Sequence, residues 1–143
     1  MKTTDASEAL SKLKKSPTGI QGFDEITAGG VPTGRPTLVC GSAGCGKSLF
    51  AIEFLVRGIT EFGEPGVLMT FEETAQEIQK NVASLGFDVA RLVAQKKLKI
   101  DYVRVERNEI EENGEYDLEG LLIRLKHAIQ TVKAKRVVLD TIE

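Results

Sequence analysis

The eight residues GSAGCGKS, at positions 41–48, constrain this chain more than any other feature. They satisfy G-x-x-x-x-G-K-[ST], and they stand where that pattern has chemical meaning, after the apolar run TLVC and before a helical repeat of apolar residues. The glycines allow a loop to wrap with its N–H groups turned inward, and the start of a helix adds a favourable field for an anion. Lys47 is placed to reach the β- and γ-phosphates of a nucleotide, and Ser48 offers a hydroxyl to Mg²⁺. Gly41, Ser42, Ala43, Gly44, Cys45, Gly46, Lys47 and Ser48 are therefore read together as a phosphate-binding loop, with Cys45 as a small loop residue.

The segments around this loop predict strands alternating with helices. TLVCG (37–41) reads as a short strand, followed by a helix carrying Leu49, Ile52, Leu55, Val56 and Ile59 on one stripe and stopping near Gly63, before Pro65. GVLMTF reads as the next strand, and a T-x-x-E capping box from Thr74 to Glu77 opens a helix with an Ile78, Val82 and Leu85 stripe and a stop at Gly86. LKIDYV is a third strand. A charged loop at 103–115 leads to a helix capped by Asp117, with Leu118, Leu121, Leu122, Leu125, Ile129 and Val132 at helical spacing, and RVVLD closes as a fourth strand. This alternation means crossover units: an α/β, three-layer fold with a mostly parallel central sheet. Residues 1–16, polar and lysine-rich, read as a flexible arm, and 17–143 as part of one domain.

At 143 residues the chain has the length of one ordinary domain. A hydrophobic content of 41% with 28% charged residues is that of a soluble globular protein, and a formal net charge of −2 supplies no bulk attraction for nucleic acid or anionic membrane. The sequence contains no apolar run of about 18 residues and no apolar centre of a signal peptide near its start, so a cytoplasmic location is the expectation. Cys40 and Cys45 are too close together for a disulfide framework or a zinc site, and are expected to be reduced. His127, on a helix far in sequence from the loop, is read as a surface or boundary residue without chemistry.

A magnesium nucleotide also needs a carboxylate at the tip of a nearby strand, and Asp140, after RVVL, supplies it, acting on Mg²⁺ through a coordinated water. Hydrolysis further requires a group that orients the attacking water. The position directly after Asp140 is Thr141, so that role falls to the end of a neighbouring strand, where MTFEET provides Glu72 and Glu73. Either or both serve as the catalytic carboxylate, or the pair acts only on the dipole of the helix that follows.

With TGIQGFDEITAGGVPTGRPTLVCGSAGCGKS, GVLMTFEET and RVVLDTIE in one order, the chain resembles the RecA-like ATPases, and more closely the N-terminal ATPase half of KaiC-type circadian clock proteins. The resemblance implies ATP held by Gly44, Cys45, Gly46, Lys47, Ser48 and Leu49, with Ser84 near the nucleotide, Ser48 on Mg²⁺ and the Glu72/Glu73 pair catalytic. It also implies a hexameric ring, a homologous second half with serine/threonine autokinase activity, and a KaiB-like partner docking at the loop 103–115. In such sheets a later strand separates the phosphate-loop strand from the Asp140 strand. The sequence is accordingly expected to be the N-terminal part of a longer RecA-like domain, truncated after the Walker B strand and leaving unpaired strand edges. Two other readings remain open: a RecA- or RadA-like DNA recombination or repair ATPase, and a nucleotide switch that controls assembly without hydrolysis.

Overall fold

A computed structural model of the chain describes residues 13–104 and 118–140, and these divide into two compact units with the boundary between Cys40 and Gly41. The charged loop at 103–115 beyond Arg104, the cap Asp117, and Thr141 lie outside the described residues, as do residues 1–12.

In the first unit β1 (Lys15–Ser16) pairs antiparallel with β2 (Val31–Pro32), and α1 (Phe23–Ile26) falls between them in the chain. Lys15 and Ser16, within the stretch read as an arm, thus belong to a strand. Asp24 organises the connection: its carboxylate accepts the Thr18 N–H at 2.9 Å, the Thr18 hydroxyl at 2.7 Å and the Gly19 N–H at 2.9 Å, around a fully buried Thr18. Gly30 has φ 107°, and a Cβ there would stand 2.1 Å from the Ser16 carbonyl oxygen, so conformation and space both require glycine.

The strand expected at 37–41 is absent. Residues 36–40 are irregular, with Leu38 86% and Val39 46% exposed. An apolar run becomes a strand only when a neighbour completes its ladder of hydrogen bonds, and no described strand pairs with this segment.

The second unit contains α2 (Lys47–Phe62), β3 (Gly66–Thr70), α3 (Ala75–Ala83), α4 (Val89–Ala94), β4 (Leu98–Tyr102), α5 (Leu118–Val132) and β5 (Arg136–Asp140). Its sheet has three strands, in the order β4-β3-β5, all parallel, with Thr70 level with Tyr102 on one side and Asp140 on the other. Every residue of β3 is buried, as a central strand covered on both faces must be. Leu68, Ile100 and Val138 face a cluster built from Ile52, Leu55, Val56 and Ile59 of α2, Ile78 and Val82 of α3, and Val89 and Leu92 of α4. On the opposite face Val67 meets Ala128 and Val132 of α5. The result is helices on both sides of a parallel sheet.

The helix ends follow local chemistry. Gly63, at φ 65°, closes α2 in the left-handed conformation, and the Thr74–Glu77 capping box opens α3 with both of its reciprocal bonds formed. The short helix α4 was not foreseen; Asp88 caps it by accepting the Arg91 N–H at 3.1 Å.

Several apolar positions on the expected stripes are not covered by the described residues: Leu49, Leu85, Leu118 and Leu122 are exposed. In α5 only the C-terminal half packs on β3, which leaves its first turns outward. Beside it β5 forms an edge of the sheet, with Val137 and Leu139 exposed on the same face as Val67, where α5 leaves the edge strand uncovered.

Arg136, the first residue of β5, is only 3% exposed. Its Nε donates to Glu64 at 2.7 Å and its guanidinium donates to the Phe54 carbonyl at 3.1 Å, while the plane lies 4.5 Å from the Phe54 ring centre and 5.2 Å from that of Phe62. The C-terminal half of α2 is thereby fastened to the N-terminal ends of the strands.

Candidate nucleotide site

The Arg136 contact fixes the direction of α2. Gly58 lies against Arg136 at the start of β5, and Leu55 lies against Gly66 at the start of β3. From Gly58 back to Lys47 the helix covers about 16 Å at 1.5 Å per residue. A five-residue strand covers about 13 Å from its first to its last Cα. A helix packed antiparallel along the strands therefore brings its N-terminus level with their C-terminal edge, where Thr70 and Asp140 end and where Glu72 and Glu73 follow.

At that N-terminus the loop has the backbone its glycines permit. Gly44 (φ 76°) and Gly46 (φ 94°) are both left-handed, and Gly46 caps α2 without any side-chain hydrogen bond. The first turn of α2 carries no acidic residue. Its leading N–H groups thus have neither an intrahelical partner nor a side-chain cap, which is the condition under which a helix start accepts an anion. At Gly41 space is the constraint: a Cβ there would stand 2.3 Å from Cys45 Sγ, so a larger residue requires the thiol to turn away. Lys47 folds over the loop, its Nζ donating to the Gly41 carbonyl at 2.5 Å and to the Ser42 carbonyl at 3.3 Å. A positive charge is thus held against the rim of an exposed glycine loop, so the residues fit a polyphosphate.

Asp140 is half-buried and, two positions after Val138, projects to the sheet face that α2 covers. Ser48 is half-buried in the first turn of that helix. A hydroxyl and a carboxylate at one edge form the hard-oxygen pair that suits Mg²⁺ once phosphate oxygens complete the set. Among the described residues no group of three or more His, Cys, Asp and Glu side chains is arranged to hold a metal without them.

The two glutamates are placed differently. Glu72 is exposed and makes no hydrogen bond or ion pair among the described residues. Glu73 accepts from Asn81 Nδ2 at 2.9 Å, and its backbone is tied to the buried Thr70 hydroxyl, which accepts the Glu73 N–H at 3.3 Å and donates to the Glu73 carbonyl at 3.0 Å. Sequence reasoning named neither Thr70 nor Asn81, and only the hydrogen bonds reveal them. Ser84 caps the far end of α3 from Thr74, about 14 Å along a nine-residue helix. His127 is exposed on α5, away from these groups.

Comparison with known proteins bears on what this arrangement serves. The family model described as "ATPase: KaiC" matches residues 16–143. The chain belongs to the KaiC family of ATPases. It is 66% identical over 140 residues to the circadian clock protein KaiC2 of Synechocystis sp., covering 98% of this chain and 24% of that protein. It is 47% identical over 135 residues to the circadian clock oscillator protein KaiC of Synechococcus elongatus, covering 94% and 25%, and 45% identical over 135 residues to that of Thermostichus vulcanus, covering 94% and 26%. The chain thus spans about a quarter of the length of these curated KaiC relatives. The family match carries the RecA-like P-loop fold, and it gives no support to the recombination reading over a KaiC-type one. Among the described residues no helix is long and apolar enough to cross a membrane.

Proposed function

We propose that this domain binds ATP with Mg²⁺ and hydrolyses it as part of a KaiC-type timing protein. The observation that carries the reading is the convergence of three features on one edge of the sheet: the uncapped glycine loop at the head of α2, the Glu72/Glu73 turn after β3, and Asp140 at the end of β5.

In this reading the loop from Gly41 to Gly46 and the first N–H groups of α2 bind the phosphates. Lys47 exchanges its two carbonyl partners for phosphate oxygens, which costs little because the carbonyls remain open to water. Ser48 and, through water, Asp140 hold Mg²⁺, which supplies charge neutralisation to the phosphates when bound. Leu49 and Ser84 border the nucleotide, Ser84 from its place at the end of α3. The carboxylate pair orients the attacking water, with exposed Glu72 free to take its proton and Glu73 held in place beside it.

The same reading extends to the whole protein. It includes a hexameric ring in the cytoplasm, a second homologous half with serine/threonine autokinase activity, and a KaiB-like partner at 103–115; the resemblance supports these steps, and the names of the relatives support the clock setting.

Equilibrium binding of a fluorescent ATP analogue to the full-length protein tests the phosphate site. Lys47→Ala is expected to weaken binding at least tenfold while the protein stays folded. Binding that survived this change undiminished would reject the loop as the nucleotide site.

A further inference from the structure

We propose that Asn81 is a positioning residue for Glu73, an inference that rests on the hydrolytic reading of the site. The sequence presents Glu72 and Glu73 as equivalent neighbours, but the fold separates them. The Thr70 hydroxyl, buried at the end of β3, bonds both to the N–H and to the carbonyl of Glu73 and so closes a tight turn with Phe71 and Glu72 at its tip. That turn fixes where the Glu73 Cα stands but leaves its side chain free to rotate.

Asn81, near the end of α3, removes that freedom. Its Nδ2 donates to Glu73 Oε1 at 2.9 Å across eight positions of the chain. Of the two carboxylate oxygens, Oε1 is then occupied by a neutral donor and Oε2 is left open to a water. A neutral amide suits such a position, because a lysine or arginine there would pair with the carboxylate and lower its basicity, whereas an amide orients it and leaves the charge in place. The helix that carries Asn81 is itself anchored, by its capping box at Thr74 and by burial of Ile78 and Val82 in the core. Asn81 is therefore a fixed post, and the orientation it imposes is referred to the sheet. Asn81 is exposed, and its side-chain amide reaches Glu73 rather than its own helix.

The test is steady-state ATP turnover by the full-length protein carrying Asn81→Ala, Asn81→Asp, Glu73→Ala, and Asn81→Ala with Glu73→Ala, beside Glu72→Gln. Assembly state and circular dichroism are monitored throughout. Asn81→Ala is expected to lower kcat about three- to tenfold, the worth of one orienting hydrogen bond, with KM for MgATP unchanged. Asn81→Asp keeps the shape of the side chain but sets one carboxylate against another, and is expected to lower kcat at least as far. In the Glu73→Ala background, removing Asn81 is expected to have no further effect. An unchanged kcat in Asn81→Ala or Asn81→Asp, or an equal loss with and without Glu73, would overturn the positioning role while leaving the hydrolytic site in place. Full turnover in both Glu72→Gln and Glu73→Ala would instead sink the hydrolytic reading on which it rests.

Discussion

Thr70 and Asp140 stand opposite one another as partners across the parallel ladder of β3 and β5, each the last residue of its strand. The carboxylate of one strand and the FEET turn of the other therefore leave the sheet at one level. Parallel pairing is what makes this possible: it gathers the C-terminal ends of strands distant in sequence onto one edge, where α/β folds place ligands.

Asp140→Asn tests that placement. Asn keeps the size of the side chain but not its charge, and a half-buried strand-end position tolerates it. The Mg²⁺ concentration for half-maximal ATP turnover is expected to rise about 10- to 100-fold, as when a group one shell from a metal is removed. A metal titration with an unaltered midpoint would remove Asp140 from the magnesium site.

The Arg136 anchor predicts a graded stability series. Arg136→Ala deletes a buried guanidinium together with its ion pair and its stacking on Phe54 and Phe62, and is expected to cost about 3 kcal/mol. Glu64→Ala removes a partly exposed carboxylate and leaves the guanidinium its Phe54 carbonyl, so about 1–2 kcal/mol is expected. Gly58→Ala places a Cβ 2.5 Å from Arg136 Cδ and is expected to destabilise despite the helix preference of alanine. Urea unfolding followed by circular dichroism gives the order.

Two lysines occupy positions that favour glycine. Lys96 (φ 56°) and Lys133 (φ 54°) follow the ends of α4 and α5, and the next N–H in each case reaches back to a helical carbonyl, Lys97 to Leu92 at 3.0 Å and Ala134 to Ile129 at 2.9 Å. These are Schellman closures built on non-glycine residues. Lys96→Gly and Lys133→Gly are each expected to raise stability by about 0.5–1 kcal/mol, since the relief of left-handed strain exceeds the entropy added to the unfolded chain. A lowered unfolding midpoint would mean that the lysine stems do more than tolerate the conformation.

The capping box carries a pH signature. The Glu77 carboxyl is held below its ordinary value near 4.5 by the Thr74 backbone N–H and hydroxyl. A depressed folded pKa stabilises the protein above the unfolded value, and that contribution is lost as pH falls through the folded value. Glu77→Gln is therefore expected to be less stable than the parent at pH 6, with the difference shrinking once the pH is taken below 4.5. A difference constant across that interval would show that the charge of Glu77 does not matter to the cap.

The Thr74–Glu77 box and strands β3, β4 and β5 were legible because each rests on local chemistry: a reciprocal cap, short runs of apolar residues. Where a feature depends on a distant partner, the sequence was silent or misleading. TLVC has the composition of a strand, yet it forms none where no ladder neighbour is present. Leu118 and Leu122 have the right spacing for a core stripe, but burial of α5 is decided by where it crosses β3, at Ala128 and Val132. No local pattern announces the burial of Arg136, which depends on Phe54, Phe62 and Glu64, far away in sequence. In the candidate site the sequence presents Glu72 and Glu73 as equivalent neighbours, and the difference between them was not legible, because Asn81 and Thr70 create it through hydrogen bonds that no spacing announces.

In the proposed function the turn after β3 supplies the hydrolytic carboxylates to a nucleotide held at the head of α2. Phosphate release from MgATP by the full-length protein with Glu72→Gln and Glu73→Gln combined, measured alongside nucleotide binding, tests it most directly. Binding is expected to stay within about threefold of the parent and turnover to fall by about 100-fold or more, as when water orientation is removed from a hydrolase. Turnover equal to the parent at saturating MgATP would contradict it.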